Sequence, residues 1–245
     1  PAQLKTAIRL INKYGSVRGE RGLPKLLPGL NFIAGLNGET EATYGMNMDL
    51  LRDIRSEGLL LRRINIRQVE GEGFQEVPSE AFASFKTACR DEIDKPLLEE
   101  LFPLGQIIHD VHWESHDGRT RLPVHETELH RTPEVHGKAG ITFGRQIGAY
   151  PILVGVEYKI PLETQSSVMI TGHGARSITG VEVGLDPLTV SEKQLEAIPG
   201  IGKKSAWALV GERAKRLSRG HPFSVESWLE SAEITLTEEL RNILR

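Results

Sequence analysis

Leu195-Glu-Ala-Ile-Pro-Gly-Ile-Gly-Lys-Lys-Ser-Ala-Trp-Ala-Leu-Val210 decides the fold of the C-terminal part of this chain. A short helical pattern runs into Pro199-Gly200-Ile201-Gly202, and a second pattern begins at once. Two glycines flanking one apolar residue make a turn in which no Cβ keeps a partner away from the backbone. The N–H groups of that turn stand at the start of a helix. There the first four donors lack intrahelical acceptors and the helix dipole is positive. Such a helix start binds anions, and the phosphate of a nucleic acid is the commonest one. Lys203 and Lys204 follow immediately and add charge. The competing reading is a tight αα-hairpin whose glycines serve only packing.

The surrounding charge agrees with an anionic partner. Between Pro187 and Pro222 stand seven cations, namely Lys193, Lys203, Lys204, Arg213, Lys215, Arg216 and Arg219. Against them stand three anions, Glu192, Glu196 and Glu212, in a chain whose net charge is −3. A basic patch on a mildly acidic protein is an electrostatic footprint for a polyanion, although local Glu pairing would make it only a solvated face. The segment resembles the helix-hairpin-helix module of DNA- and RNA-binding proteins. The resemblance implies that Gly200, Ile201, Gly202, Lys203 and Lys204 meet the phosphate backbone. Beyond Pro222 the pattern weakly repeats. Ser224 reads as an N-cap, Val225 to Ala232 as a helix and Thr237 to Leu244 as the last helix. Ile234-Thr-Leu236 stands where a second Gly-x-Gly would be, so this second hairpin completes a small core without binding phosphate.

Composition bounds what else the chain can be. Its 245 residues, 39% hydrophobic, allow one to three domains. No apolar run approaches the ~18 residues of a membrane span, and no signal peptide is expected. A single cysteine, Cys89, excludes an internal disulfide and fits a reducing cytoplasm. The chain enters a helical pattern directly at Pro1, with Leu4, Ala7, Ile8 and Ile11 on one stripe, and reads as a fragment of something longer.

The first hundred residues alternate helix and strand. Ala2 to Tyr14 is predicted helical, Gly29 to Gly35 a buried parallel strand, and Thr40 to Glu57 a helix. Arg63 to Val69 is the next strand, and Ser79 to Ile93 a further helix. This order means a parallel sheet or barrel. Two strands cannot bury both faces alone, so the rest of the sheet is expected outside this chain.

Ile33-Ala-Gly-Leu-Asn-Gly-Glu-Thr40 resembles the fifth-strand segment of radical S-adenosylmethionine (radical SAM) enzymes, and Leu10 to Val69 is similar to the second half of an archaeal member. In that family the strand packs on the adenine of S-adenosylmethionine. The resemblance implies cofactor contacts at Ile33, Gly35, Gly38 and Glu39, and backbone contacts near Ile66 on the next strand. Asn37 replaces the usual proline. The greater departure is the cysteine count. The family holds a 4Fe–4S cluster through three thiolates, and Cys89, on an apolar helix face, is one. Cluster and cofactor are therefore expected in a longer parent, and neither is expected to bind stably to this chain.

The middle reads as a small β domain. Gly105 to Glu114 is a strand in which Ile107, His109, Val111 and Trp113 alternate with Ile108, Asp110, His112 and Glu114. Short glycine-punctuated strands follow from Gly140 to Val183 and argue for a small barrel. Gly144-Arg145, Pro151-Ile-Leu-Val154 and Ser177-Ile-Thr-Gly180 resemble the TRAM domain, an OB-like barrel that grips RNA. The resemblance implies RNA-facing cations at Arg145 and Arg176, although a β-barrel without a ligand would read the same way. His109, His112, His116, His125, His130 and His136 invite a metal reading. Strand alternation would put His109 and His112 on opposite faces, and the spacings fit no compact site, so no metal is expected.

The sequence thus predicts a multidomain chain, α/β plus β plus α. Residues 1–103 are expected as the C-terminal half of a radical SAM barrel. Residues 104–186 form a TRAM/OB-like β-barrel, and 187–245 a helix-hairpin-helix bundle. The expected function is part of a radical SAM enzyme that modifies a nucleic acid, RNA rather than DNA. Its expected partners are the RNA or DNA backbone and the missing N-terminal half of the barrel, with no membrane. The rivals are a non-catalytic nucleic-acid-binding protein with a structural barrel remnant, and a protein-recognition module.

Overall fold

A computed structural model describes residues 2–116, 140–146 and 151–245, apart from 21, 70, 72, 75, 78 and 221. The chain divides into two compact units, Pro1–Phe102 and Pro103–Arg245.

In the first unit, helix α1 (Ala2–Gly15) precedes strand β1 (Gly29–Ala34), helix α2 (Glu41–Ser56) and strand β2 (Arg63–Gln68). The two strands pair in parallel, with Phe32 opposite Ile66 and Ile33 opposite Arg67. Helix α3 (Ser79–Ala88) continues through a π-helical segment (Cys89–Asp94) into α4 (Lys95–Leu101). The helix expected to stop at Ile93 thus runs on in a different winding. Pro96 near the start of α4 has no N–H to donate, and a widened turn just before it is one way to absorb that loss. Leu51, Ile54, Ile64, Phe85, Cys89 and Ile93 form the centre of the core, each 3% exposed or less. Asn12 ties α1 to this core from a 7%-exposed position. Its side-chain oxygen accepts from the Leu60 N–H at 2.8 Å, and its amide donates to the Leu60 carbonyl at 3.0 Å.

This unit corrects the expected half of a radical SAM barrel. The described residues hold a two-stranded parallel sheet and no (β/α) barrel of that kind. The glycine motif that carried the resemblance has a local account. Gly35 and Gly38 take φ of 95° and 86°, open to glycine at little cost. The Gly35 N–H donates to the Glu39 carboxylate at 2.5 Å. The motif is thus a strand-to-helix turn closed by its own Glu39, with the Asn37 amide donating to the Gly73 carbonyl at 2.9 Å.

In the second unit, strands β3 (Ile107–Ser115), β4 (Thr142–Gln146), β5 (Leu153–Val156), β6 (Gln165–His173) and β7 (Ser177–Glu182) close a five-stranded barrel in the order β3-β4-β5-β7-β6. The β5–β7 pair is parallel and the other pairs are antiparallel, so the barrel is mixed. Close strand approach needs glycine at Gly144, where an added Cβ would stand 2.8 Å from the Trp113 ring. The predicted strict alternation of the first strand fails at a bulge. The β3–β6 register shifts between Ile108 and Val111, and Asp110 takes φ 56°. Ile108 and Val111, three apart, therefore both point inward at 0% exposure. His109 is exposed and His112 half-buried on the outer side, rather than on opposite faces.

Helices α5 (Glu192–Glu196), α6 (Lys203–Ser218), α7 (Val225–Glu230) and α8 (Glu238–Ile243) follow. They bury Leu195, Ile198, Ile201, Leu209, Trp228, Leu229 and Ile243 among themselves. The Trp228 indole N–H donates to the Leu209 carbonyl at 2.8 Å and locks α7 onto α6. A bridge between Leu185 and Leu244 ties the end of the last helix to the segment leaving the barrel. No helix among the described residues is long and apolar enough to cross a membrane.

Asn12→Leu removes both bonds to Leu60 and strands two backbone groups, a loss of about 2 kcal/mol. Hydrogen exchange of the α1 amides is expected to rise about 30-fold as that helix loosens. Exchange within twofold of the parent would show that Asn12 does not hold α1 in place.

Candidate nucleic-acid interface

The site is built by two buried isoleucines and the turn between them. Ile198 and Ile201 are each 2% exposed and packed into the helical core. The Ile201 N–H donates to the Ile198 carbonyl at 3.0 Å, and Gly200 has φ 87°. Proline second and a positive-φ glycine third is the signature of a type II turn. Gly200 is therefore required by backbone geometry, since other residues resist that angle.

Gly202 is different. It caps α6 with φ −79° and ψ 167°, angles open to any residue. A Cβ added there would meet nothing within 4 Å. Neither backbone strain nor internal packing asks for glycine at this position. The other three helices of the group place a hydroxyl at the same point. Ser191 accepts from the Gln194 N–H at 3.3 Å, Ser224 from the Ser227 N–H at 3.4 Å, and Thr237 from the Leu240 N–H at 3.2 Å. At α6 no side chain caps the first turn. Its opening N–H groups, from Lys203 to Ser205, precede the first bond of the helix, the Ala206 N–H to the Gly202 carbonyl at 2.9 Å, and so lack intrahelical acceptors.

Charge at the turn is positive. Lys203 and Lys204 are exposed, and among the described residues no carboxylate lies within ion-pair distance of either. The rest of the basic segment is partly committed elsewhere. Lys193 pairs with Glu196 at 2.6 Å and Arg216 with Glu212 at 2.9 Å. Arg213 donates to the carbonyls of Val190 and Pro187, at 2.6 and 3.1 Å, and burial pulls its guanidinium pKa down. Lys203, Lys204, Lys215 and Arg219 remain as exposed cations on or just beyond α6. Sequence reasoning also passed over Trp207, which stands 70% exposed on α6. Its signal is its place off the buried Ala206–Leu209 stripe and one turn after Lys203.

The structure does not join the remaining expected residues to this site. Arg145 lies on β4 and meets Glu114 at 2.6 Å, with the two side chains 20% and 24% exposed. Arg176 is exposed in the turn between β6 and β7. Ile33 is 51% exposed on the sheet face that also carries Arg67, whereas Ile66 shares the opposite face with Phe32 and packs against the core. The side chains of Ile33 and Ile66 thus do not form one wall. An iron–sulfur cluster does not fit the donor set, because the one thiol of the chain, Cys89, is 1% exposed in the core. His109 lies 3.0 Å from the Ser167 hydroxyl, and His116 lies 2.8 Å from the Ile160 carbonyl. Among the described residues no three His, Cys, Asp or Glu side chains converge. His125, His130 and His136 lie outside the described residues.

No family profile matches the chain. It is similar to an uncharacterized protein of Archaeoglobus fulgidus, 36% identical over 210 residues, which covers 82% of this chain and 36% of the relative. It is also similar to an uncharacterized protein of Methanocaldococcus jannaschii, 34% identical over 191 residues, covering 74% and 32%. The chain therefore spans about a third of the length of the curated relatives it matches.

Proposed function

We propose that the α5–α6 hairpin binds the phosphate backbone of a nucleic acid, and that this chain is the nucleic-acid-holding part of a larger protein of the reducing cytoplasm. The observation that carries this reading is Gly202, a glycine with ordinary backbone angles and open space where its side chain would be. Its use lies outside the chain, in letting a partner come close to the first turn of α6. The uncapped N–H groups offer donors to phosphate oxygens, and the dipole and the two lysines favour negative charge there. Hydrogen bonds of this kind position a polymer without reading its bases, so little sequence preference is expected. A protein-recognition role would use the same turn for packing alone, and would leave Lys204 exposed beside it without a use, while Lys203 has Glu196 close enough to act on it electrostatically. Radical chemistry fed by S-adenosylmethionine would need cluster thiolates from outside this chain, and phosphate binding at the hairpin does not depend on it.

Two variants test the proposal by fluorescence anisotropy at several salt concentrations. Lys203→Ala with Lys204→Ala is expected to weaken all sequences alike and lower the salt slope by about 1 to 2 units, one for each phosphate no longer neutralised. Gly202→Ser fills the approach and caps the helix with a hydroxyl. It is expected to raise stability by about 0.3 kcal/mol while weakening binding about tenfold. Absence of binding by the parent chain at low salt, or unaltered binding by both variants, contradicts the proposal.

A further inference from the structure

We infer that Trp207 is a stacking platform for a base, which makes the polymer held at this hairpin single-stranded RNA or DNA. The inference rests on the phosphate reading above and adds the strandedness of the ligand.

Trp207 presents an indole that is 70% exposed, the most exposed large apolar side chain among the described residues. The two other tryptophans are 0% exposed, so the fold does bury indoles where it can use them. Trp207 sits four residues after Lys203 and three after Lys204, which places all three on one face of α6. Helical side chains lean toward the helix N-terminus, so the indole lies over the turn that carries the lysines. One turn further on the same face stands Gly211, exposed and within a 16-residue helix. A Cβ there would meet nothing within 4 Å, and its backbone φ is not positive. Packing therefore gives no reason for this glycine, and glycine is the poorest helix former after proline. A longer side chain at 211 would lean back across the outer face of the indole. Glycine leaves that face open.

Lys215, exposed, closes the same track about 18 Å along the helix from Lys203. The order along the face is cation, aromatic, gap, cation. That order matches a single strand, in which phosphates alternate with bases that are free to stack. Every base has a π-face, so such stacking is tolerant of sequence. A duplex keeps its bases paired and stacked inside, and along its length offers the indole sugar, phosphate and base edges but no free base face. Charge complementarity thus argues for a polyanion, and the open aromatic face argues for one whose bases are accessible.

The whole chain is titrated with a thymidine 12-mer, a uridine 12-mer and a 12-base-pair duplex. Trp207 emission and labelled-strand anisotropy are read together. Because the other tryptophans are buried, quenching reports Trp207. Single strands are expected to quench the emission. Trp207→Ala should weaken both single strands about tenfold and the duplex less than twofold, and Trp207→Phe should recover part of the loss. Gly211→Gln should raise thermal stability and weaken single-strand binding. Binding of single strands without quenching, or with equal affinity for parent and Trp207→Ala, overturns the stacking role while the lysine double variant still tests the phosphate reading. Binding to none of the three polymers overturns both.

Discussion

Ile198 and Ile201 both belong in the core, and only Pro199 and Gly200 lie between them. That constraint organises the C-terminal end of the protein. A two-residue connection between buried anchors demands a tight turn. Proline presets the first angle and glycine supplies the positive second one. Once the turn is made, α6 must start immediately after Ile201, with its first N–H groups at the tip of the hairpin. The burial of two apolar side chains is therefore what points a positive helix end and two lysines at the outside. The group is held from behind by the Trp228 indole on the Leu209 carbonyl and by Arg213 on the carbonyls of Pro187 and Val190.

The elements that were legible in the sequence are those governed by neighbours in the chain. The hairpin is one, because Pro199, Gly200 and the flanking isoleucines act over four residues. The N-cap Ser224 is another, bonding an N–H three residues on, whereas Thr237, read as the first residue of the last helix, proves to be its cap. The β1-α2-β2 order was also readable from apolar runs and glycine stops. What escaped the reading depends on distant residues meeting in space. The bulge at Asp110 is set by the pairing of β3 with β6 and reverses the face of one histidine. Arg145 looked free in the sequence and meets Glu114 on the neighbouring strand, 31 residues away. Arg213 and Arg216 counted as surface charge and are spent on holding the helical group together.

The expected half-barrel of residues 1–103 failed for a related reason. A Gly-x-x-Gly-Glu turn after an apolar strand is the same few residues whether it faces a nucleoside or only closes onto the next helix. Here Glu39 turns back to the Gly35 N–H, and the sheet has two strands among the described residues. Local motifs specify the turn, while the number of strands around it is a long-range property. Gly202 shows the opposite case. Its motif is equally short, but three sibling helix starts carry Ser or Thr and its own surroundings leave a gap, so the structure adds weight that the motif alone lacks.

Phosphate binding at the hairpin is tested most directly by amide-resolved NMR of the isotopically labelled chain as nucleic acid is added in small steps. The first and largest shifts are expected at the N–H groups of Gly200, Gly202, Lys203 and Lys204, fading as salt is raised. Those amides remaining still, while signals near Arg145 on β4 or Arg176 beyond β6 move instead, would place the interface on the barrel and contradict a hairpin site.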